Sequence, residues 1–72
     1  AFKLGDVDGN GMIEVTDAVL VLTYYAKSAA GIAVTIDPRL ADVNQDGIVD
    51  VVDAVGILTY YARQAAGLPP TF

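Results

Sequence analysis

Twelve residues decide the fold, DVDGNGMIEVTD at positions 6–17, and they return as DVNQDGIVDVVD at positions 42–53. In both copies an oxygen-bearing side chain stands at loop positions 1, 3, 5, 9 and 12, and glycine stands at position 6. This spacing is typical of a twelve-residue EF-hand-type loop, whose oxygens surround a calcium ion. Because the pattern occurs twice in one short chain, the sequence predicts two bound Ca²⁺ ions.

Each loop position has a defined role in such a site. Position 12 supplies a bidentate carboxylate, position 7 its main-chain carbonyl, and position 9 a carboxylate that acts directly or through water. The predicted metal ligands are Asp6, Asp8, Asn10, Met12, Glu14 and Asp17 in loop 1, and Asp42, Asn44, Asp46, Ile48, Asp50 and Asp53 in loop 2. The alternatives are metal-free turns rich in Asp, Asn and Gly, or magnesium, which prefers fewer protein ligands and retained water.

Composition bounds the domain and its stability. The 72 residues contain neither cysteine nor histidine, so no disulfide can stabilise the small core. We expect one domain over residues 1–72, in which metal binding contributes to folding. Because the chain begins with Ala1, we also expect it to be one module of a longer polypeptide.

Charge and hydropathy exclude several functions. The formal net charge is −5, and eight of the nine acidic residues lie in the two loops, so the acidity belongs to the metal sites. The four basic residues form no run, which argues against nucleic acid as a partner. No apolar stretch is long enough for membrane insertion. With the carboxylates committed to metal and no histidine or cysteine, we expect no enzymatic activity.

The repeat extends beyond the loops and predicts a small all-α fold. Residues 6–32 and 42–68 share 15 identities in 27 positions. A long helix ending before a glycine follows each loop, so repeat 1 covers about residues 5–32 and repeat 2 about 41–68. A short helix over residues 37–41, capped by Asp37, connects them. We expect pseudo-twofold symmetry, antiparallel long helices and a short backbone bridge between Ile13 and Val49 at loop position 8.

The two long helices are apolar nearly all round, which is unusual for surface helices. Their inward positions are predicted to be Ala18, Val21 and Tyr25, with Ala54, Ile57 and Tyr61 in the second copy. The remaining face is predicted to bind a partner protein, because small soluble proteins seldom expose a large apolar patch otherwise. Its residues are Val15, Thr16, Val19, Leu20, Leu22, Thr23 and Lys27, and in the second copy Val51, Val52, Val55, Gly56, Leu58, Thr59 and Arg63.

Two departures from the EF-hand define a resemblance. No entering helix fits before Asp6, and position 12 is Asp17 or Asp53 where EF-hands carry glutamate. Loop–helix units of this kind (F-hands) with terminal aspartates resemble a dockerin domain over residues 5 to 68. Val15-Thr16 and Leu22-Thr23, with their second copies, depart from the commonest type I pattern of a Ser/Thr pair and a basic pair. In this the chain looks more like rumen-type dockerins, whose recognition is more apolar.

The resemblance implies a function and a partner. Dockerins are calcium-dependent modules that attach a parent enzyme or scaffold protein to a cohesin domain in extracellular bacterial cellulosomes, as a 1:1 complex. A calcium sensor and a purely structural calcium-binding module remain as alternatives. Leu20 and Gly56 differ at corresponding positions, so we expect one dominant binding orientation, although Gly56 could instead admit a bulky partner side chain. For the two ends, the sequence allows an aromatic–proline clasp between Phe2 or Leu4 and the segment with Leu68, Pro69, Pro70 and Phe72, or frayed termini as the alternative.

Overall fold

The computed structural model describes residues 3–72 as an all-helical chain. Its elements are α1 (Val15–Ala29), α2 (Pro38–Ala41) and α3 (Val51–Ala65), and α1 packs against α3. The described residues contain no strand. The prediction of a small all-α fold with two long helices and a short connecting helix is therefore confirmed.

Local sequence signals set the helix boundaries. Each long helix begins at loop position 10, within its loop, and the N-cap residues Glu14 and Asp50 have extended backbone. Each long helix ends before a glycine with a positive φ angle, +79° at Gly31 and +76° at Gly67. Residues with a side chain adopt this backbone conformation only at an energetic cost. The short α2 begins with Asp37, whose carboxylate accepts the Arg39 amide at 3.0 Å, as the sequence predicted.

The core is small and lies between the loops and the two long helices. Ala18, Val21, Ala54 and Ile57 are buried, as predicted. Among residues 3–72, the buried apolar side chains are Ile13, Ala18, Val21, Ala41, Val43, Ala54 and Ile57. A cluster of this size contains no large side chain beyond valine and isoleucine, so its hydrophobic contribution to stability is limited.

The inward placement predicted for Tyr25 and Tyr61 is wrong. These side chains are 42% and 38% exposed, whereas the preceding Tyr24 and Tyr60 are partly buried. The reason is the segment that follows each helix. Residues 34–37 line a groove with Tyr24 on α1, and Phe72 stacks on Tyr60 of α3. Each segment therefore covers Tyr24 or Tyr60 and leaves the next tyrosine exposed.

The backbone bridge predicted between Ile13 and Val49 is also absent, because residues 3–72 contain no β-bridge. Instead Ile13 is buried in the core and Val49 packs against it from a partly buried position. A backbone hydrogen bond does join the repeats, but it runs from the Gly5 amide to the Leu40 carbonyl at 2.7 Å. The loops are thus connected by side-chain packing and by the residues immediately before each loop.

Within residues 3–72, the C-terminal Phe72 lies beside the start of loop 1. Phe2 lies outside the described residues, and Leu4 packs against the core. The Phe72 ring stacks on Tyr60 with centroids 4.6 Å apart and planes inclined by 17°. The same ring lies where a side chain on Gly5 would point, since an added Cβ would be 2.5 Å from Phe72 Cζ. The clasp is therefore formed by an aromatic pair and a glycine.

This contact predicts that Gly5→Ala destabilises the calcium-loaded protein by about 2–5 kcal/mol in urea denaturation. Gly5 has φ +92°, so alanine there is strained by about 1–2 kcal/mol, and its methyl group would also overlap the Phe72 ring at a further cost of about 1–3 kcal/mol. Gly31→Ala is the matched control, because Gly31 has φ +79° and open space around its Cβ direction.

A double variant isolates the ring contact. In a Phe72→Ala background, Gly5→Ala should cost no more than Gly31→Ala, because only the backbone strain remains. Equal costs for the two glycine substitutions in the unsubstituted chain would show that the ring does not rest on Gly5.

Candidate metal centres and interaction face

Loop 1 is folded around the carboxylate of Asp17, which is fully buried at the start of α1. Its Oδ1 accepts the Asp8 amide at 3.1 Å, and its Oδ2 accepts the Glu14 amide at 2.8 Å. Across the loop, Asp6 Oδ2 accepts the Gly11 amide at 2.8 Å. One aspartate from each end of the loop therefore fixes the loop backbone, and both carboxylates face its interior.

Loop 2 repeats this arrangement thirty-six residues later. Asp53, also fully buried, accepts the Asn44 amide at 3.4 Å and the Asp50 amide at 2.9 Å. Asp42 Oδ2 accepts the Gly47 amide at 3.0 Å. Because the same three bonds recur at corresponding atoms, the two loops share one geometry despite their different residues at positions 3 to 5.

The carboxylates converge closely enough to hold a cation. One oxygen from each of Asp6, Asp8 and Asp17 lies within 4.8 Å of the others, and the same holds for Asp42, Asp46 and Asp53. Calcium–oxygen distances are about 2.3–2.6 Å, so ligands on opposite sides of one ion are about 4.6–5.2 Å apart. The spacing of both clusters fits a shared Ca²⁺.

An unpartnered oxygen in each loop supports the same fit. Asp6 Oδ1 and Asp42 Oδ1 are buried and have no hydrogen-bond partner. A buried carboxylate oxygen without a donor is costly, and a metal ion is one of the few groups that compensates it. These two oxygens belong to loop position 1, where a calcium ligand is expected.

The other predicted ligands have different positions. Asp50 Oδ1 accepts the Val52 amide at 3.1 Å and so caps α3, while Glu14 is the partly buried N-cap of α1. Neither belongs to the converging clusters, which is compatible with the water-mediated role at position 9. The side chains of Met12 and Ile48 are exposed, as expected where only the carbonyl is a ligand. Ligation by Asn10, Asn44 and these residues stays a prediction.

Burial raises the pKa of Asp53 above its usual value. Hydrogen bonds from the Asp50 and Asn44 amides oppose this shift, and the neighbouring charges of Asp42 and Asp50 add to it. The cause is that the folded chain removes this carboxylate from water without supplying a counter-charge. A bound cation would supply that charge and would lower the pKa of Asp53.

The raised pKa predicts how the metal-free protein responds to pH. An acid whose folded pKa exceeds its unfolded value favours folding most below the unfolded value, and this contribution is lost as the pH rises through the folded value. Without calcium, the residual helical circular dichroism should therefore be larger near pH 4 than near pH 7. Asp53→Asn should weaken this dependence. A helical signal that rises from about pH 4 to 7 would contradict the assignment.

The predicted partner-binding face is open to solvent. Of its fourteen residues only Gly56 is partly buried, and the others are exposed. The exposed members are Val15, Thr16, Val19, Leu20, Leu22, Thr23, Lys27, Val51, Val52, Val55, Leu58, Thr59 and Arg63. Two neighbouring helices thus present aliphatic side chains that the core does not use.

The space that a side chain at position 56 would occupy is not open. A Cβ added there would be 2.9 Å from Val43 Cγ2, so the buried Val43 takes the position that a larger residue would need. At the corresponding place on α1, Leu20 is 38% exposed. The idea that Gly56 admits a bulky partner side chain is therefore not favoured, and the two faces differ in shape.

The sequence interpretation missed two grooves beside the long helices. The first, about 330 Å³, lies between α1 and residues 34–37 and includes Leu20 and Tyr24. The second, about 220 Å³, lies between α3 and the C-terminal residues Thr71 and Phe72. The available signal was the repeat length, because Thr71-Phe72 follows Thr35-Ile36 by the same thirty-six residues that separate the loops.

Comparison with known proteins identifies a family. A family model described as the dockerin type I domain matches residues 4–60, which include both loops, α1, α2 and most of α3. No curated protein matches the chain. Within the described part of the chain, no helix has the length and hydropathy needed to cross a membrane. The family match does not test the predicted likeness to rumen-type members.

Proposed function

The chain belongs to the dockerin type I family, and from that membership we propose that it anchors a parent enzyme or scaffold protein to a cohesin domain of an extracellular bacterial cellulosome. Dockerin domains are calcium-dependent, cohesin-binding interaction modules and are not catalytic. The observation that carries the proposal is the exposed aliphatic face of α1 and α3, whose side chains do not belong to the core.

Two calcium ions hold this face in place. The side chains of Asp6, Asp8 and Asp17 bind the first ion, and those of Asp42, Asp46 and Asp53 bind the second. The remaining ligands are Asn10, Asn44, the Met12 and Ile48 carbonyls, and Glu14 and Asp50 through water. Asp17 and Asp53 lie in the first turns of α1 and α3, so each ion connects its loop directly to the helix that presents the face.

The partner surface should be apolar at its centre with acidic groups at its edge. Val19 and Leu20 lie in the middle of α1 and are 50% and 38% exposed, so they can be desolvated on contact. Lys27 lies two turns further along and is the cation nearest the end of that helix. Such a rim charge mainly steers and orients association.

Calorimetric titration against a panel of cohesins tests the proposal. We expect 1:1 binding to at least one member in calcium and no detectable heat in chelator, because the face depends on the metal-held loops. Gln64→Ala is the control: Gln64 is exposed, lies outside both loops and is not a predicted face residue, so binding should be unchanged. Absence of binding to every cohesin, with calcium bound and helices intact, would reject the function.

A further inference from the structure

The two asparagines of the chain are followed by different residues. Asn10 and Asn44 both lie in the loops and both are exposed, but Asn10 precedes Gly11 whereas Asn44 precedes Gln45. Asparagine is one of the chemically less stable residues of proteins. The next residue matters because its backbone nitrogen can attack the asparagine side chain, and glycine has no Cβ to hinder that approach. Asn10 is therefore the asparagine of this chain that is more prone to deamidation.

Deamidation converts the side-chain amide into an acid and needs only water. The Gly11 nitrogen attacks Asn10 Cγ, the new C–N bond closes a succinimide ring, and the side-chain nitrogen leaves as ammonia with the proton of the Gly11 amide. Water then opens the ring at either of its carbonyls. One opening gives an ordinary aspartate, and the other gives isoaspartate, in which the main chain continues through the side-chain carboxyl carbon.

The folded loop is open around Gly11 but restrains both reacting groups. A Cβ added to Gly11 would meet nothing within 4 Å, so no neighbouring side chain crowds this residue. The Gly11 amide, however, donates to Asp6 Oδ2 at 2.8 Å, and Asn10 Oδ1 accepts the Met12 amide at 2.9 Å. Ring closure must free the nitrogen from its acceptor and turn the Asn10 side chain away from Met12. Both hydrogen bonds therefore oppose the reaction.

These restraints depend on the closed state of loop 1. Asp6 Oδ2 holds Gly11, while Asp6 Oδ1 is buried and has no hydrogen-bond partner. The fully buried carboxylate of Asp17 lies in the same cluster. Without a cation the two carboxylates repel each other at close range, which favours opening of the loop. Opening releases Gly11 and Asn10 from their partners together.

We propose that Asn10 is a deamidation site that the closed loop protects, so that loss of calcium commits loop 1 to an irreversible change. The aspartate product is compatible with the site, because loop 2 has Asp46 at the same loop position and within its carboxylate cluster. The isoaspartate product is not, because it lengthens the main chain by one carbon directly before Gly11. That residue then no longer reaches Asp6 in the register that closes the loop. The inference goes beyond partner binding and does not involve cohesin.

Peptide mapping by mass spectrometry tests the site. The unsubstituted protein is incubated at neutral pH in calcium or in EDTA, and conversion of amide to acid is followed at Asn10 and Asn44. In EDTA, Asn10 should react at least about tenfold faster than Asn44, because only Asn10 precedes glycine. Calcium at about 100 times its dissociation constant lowers the metal-free population about 100-fold, so it should slow Asn10 at least about tenfold. Equal rates at the two asparagines, or an Asn10 rate that bound calcium leaves unchanged, would overturn the proposal.

Gln45→Gly provides a matched variant in loop 2. Gln45 has φ +56°, a conformation that glycine adopts without strain, so the substitution preserves the loop backbone. It places glycine after Asn44, which should then react in EDTA at a rate within about threefold of Asn10. If Asn44 stayed as slow as in the unsubstituted chain, the neighbouring glycine would not determine reactivity and the proposal would fail.

The separated products test the consequence for loop 1. After incubation in EDTA, chromatography resolves the aspartate and isoaspartate forms, and native mass spectrometry counts the calcium ions that each form binds. We expect two ions on the aspartate form and one on the isoaspartate form, because only the latter has an altered loop backbone. Two ions on both forms would overturn the proposal. Since no cohesin is present, failure of the chain to bind any cohesin would reject the proposed function and leave this inference standing.

Discussion

Removal of calcium with excess EDTA is expected to abolish most of the helical circular dichroism of this protein at room temperature. Without the ions, the carboxylates of Asp6, Asp17 and Asp53 are buried charges with no cationic partner. Leaving one such charge uncompensated costs about 3–5 kcal/mol. A domain of this size rarely has more than about 3–5 kcal/mol of stability from its core, so two empty sites outweigh it.

The chain has no other means of compensation. It contains no cysteine, and the buried apolar cluster within residues 3–72 includes no aromatic side chain. Metal binding energy is therefore expected to be a large part of the folding free energy. Adding back Ca²⁺ should restore the helical signal, and an equal concentration of Mg²⁺ should restore less of it, because Mg²⁺ holds its water more tightly. A full helical signal in EDTA would contradict the interpretation.

The parts of the fold that were predicted from sequence depend on local spacing. The helix ends follow from Asp37 and from Gly31 and Gly67, which act within one or two turns of the chain. The carboxylate clusters follow from the loop pattern, because position 12 returns to position 1 whenever the twelve-residue loop forms. Such features need no knowledge of distant contacts, and a repeated motif gives two independent observations of each.

The parts that were not predicted depend on distant contacts. The burial of Tyr60 rather than Tyr61 requires Phe72, which lies beyond the region in which the two copies were aligned. Extending the thirty-six-residue spacing pairs Gly5 and Phe72 with Ala41 and Ile36. A glycine stands opposite the larger ring, and an alanine is buried in the core against which Ile36 packs. The sequence shows these pairs of small and large residues, but their relation is recognised only when the contact of Phe72 with Gly5 is known.

Loop 2 also contains a conformation that its sequence does not suggest. Gly9 has φ +72° at loop position 4, and the corresponding residue Gln45 has φ +56°. The left-handed region is uncommon for residues other than glycine, asparagine and aspartate. Gln45 adopts it because two hydrogen bonds span it: the Asp46 amide donates to the Asn44 side-chain oxygen, and the Gly47 amide donates to the Asp42 carboxylate. Loop geometry therefore outweighs the preference of the single residue.

The second large effect is expected from Asp17→Ala, which should reduce tightly bound calcium from two ions to one. Asp17 is fully buried, lies in the carboxylate cluster of loop 1, and accepts the Asp8 and Glu14 amides. Alanine removes a predicted bidentate ligand and leaves both amides without their acceptor. Loss of the acceptor alone costs about 1–3 kcal/mol for each buried donor. We therefore expect a loss of at least about 3 kcal/mol in urea denaturation with calcium.

Asp53→Ala is the symmetric variant and Asp37→Ala the control. Asp53 makes the same two bonds in loop 2, so its loss should remove the other ion with a similar effect on stability. Asp37 is a partly buried helix cap paired with Arg39 at 2.9 Å and lies outside both loops, so its replacement should leave two calcium ions bound. If both loop variants still bound two ions with unchanged affinity, these aspartates would not be ligands. The buried carboxylates of Asp17 and Asp53 would then need another source of positive charge.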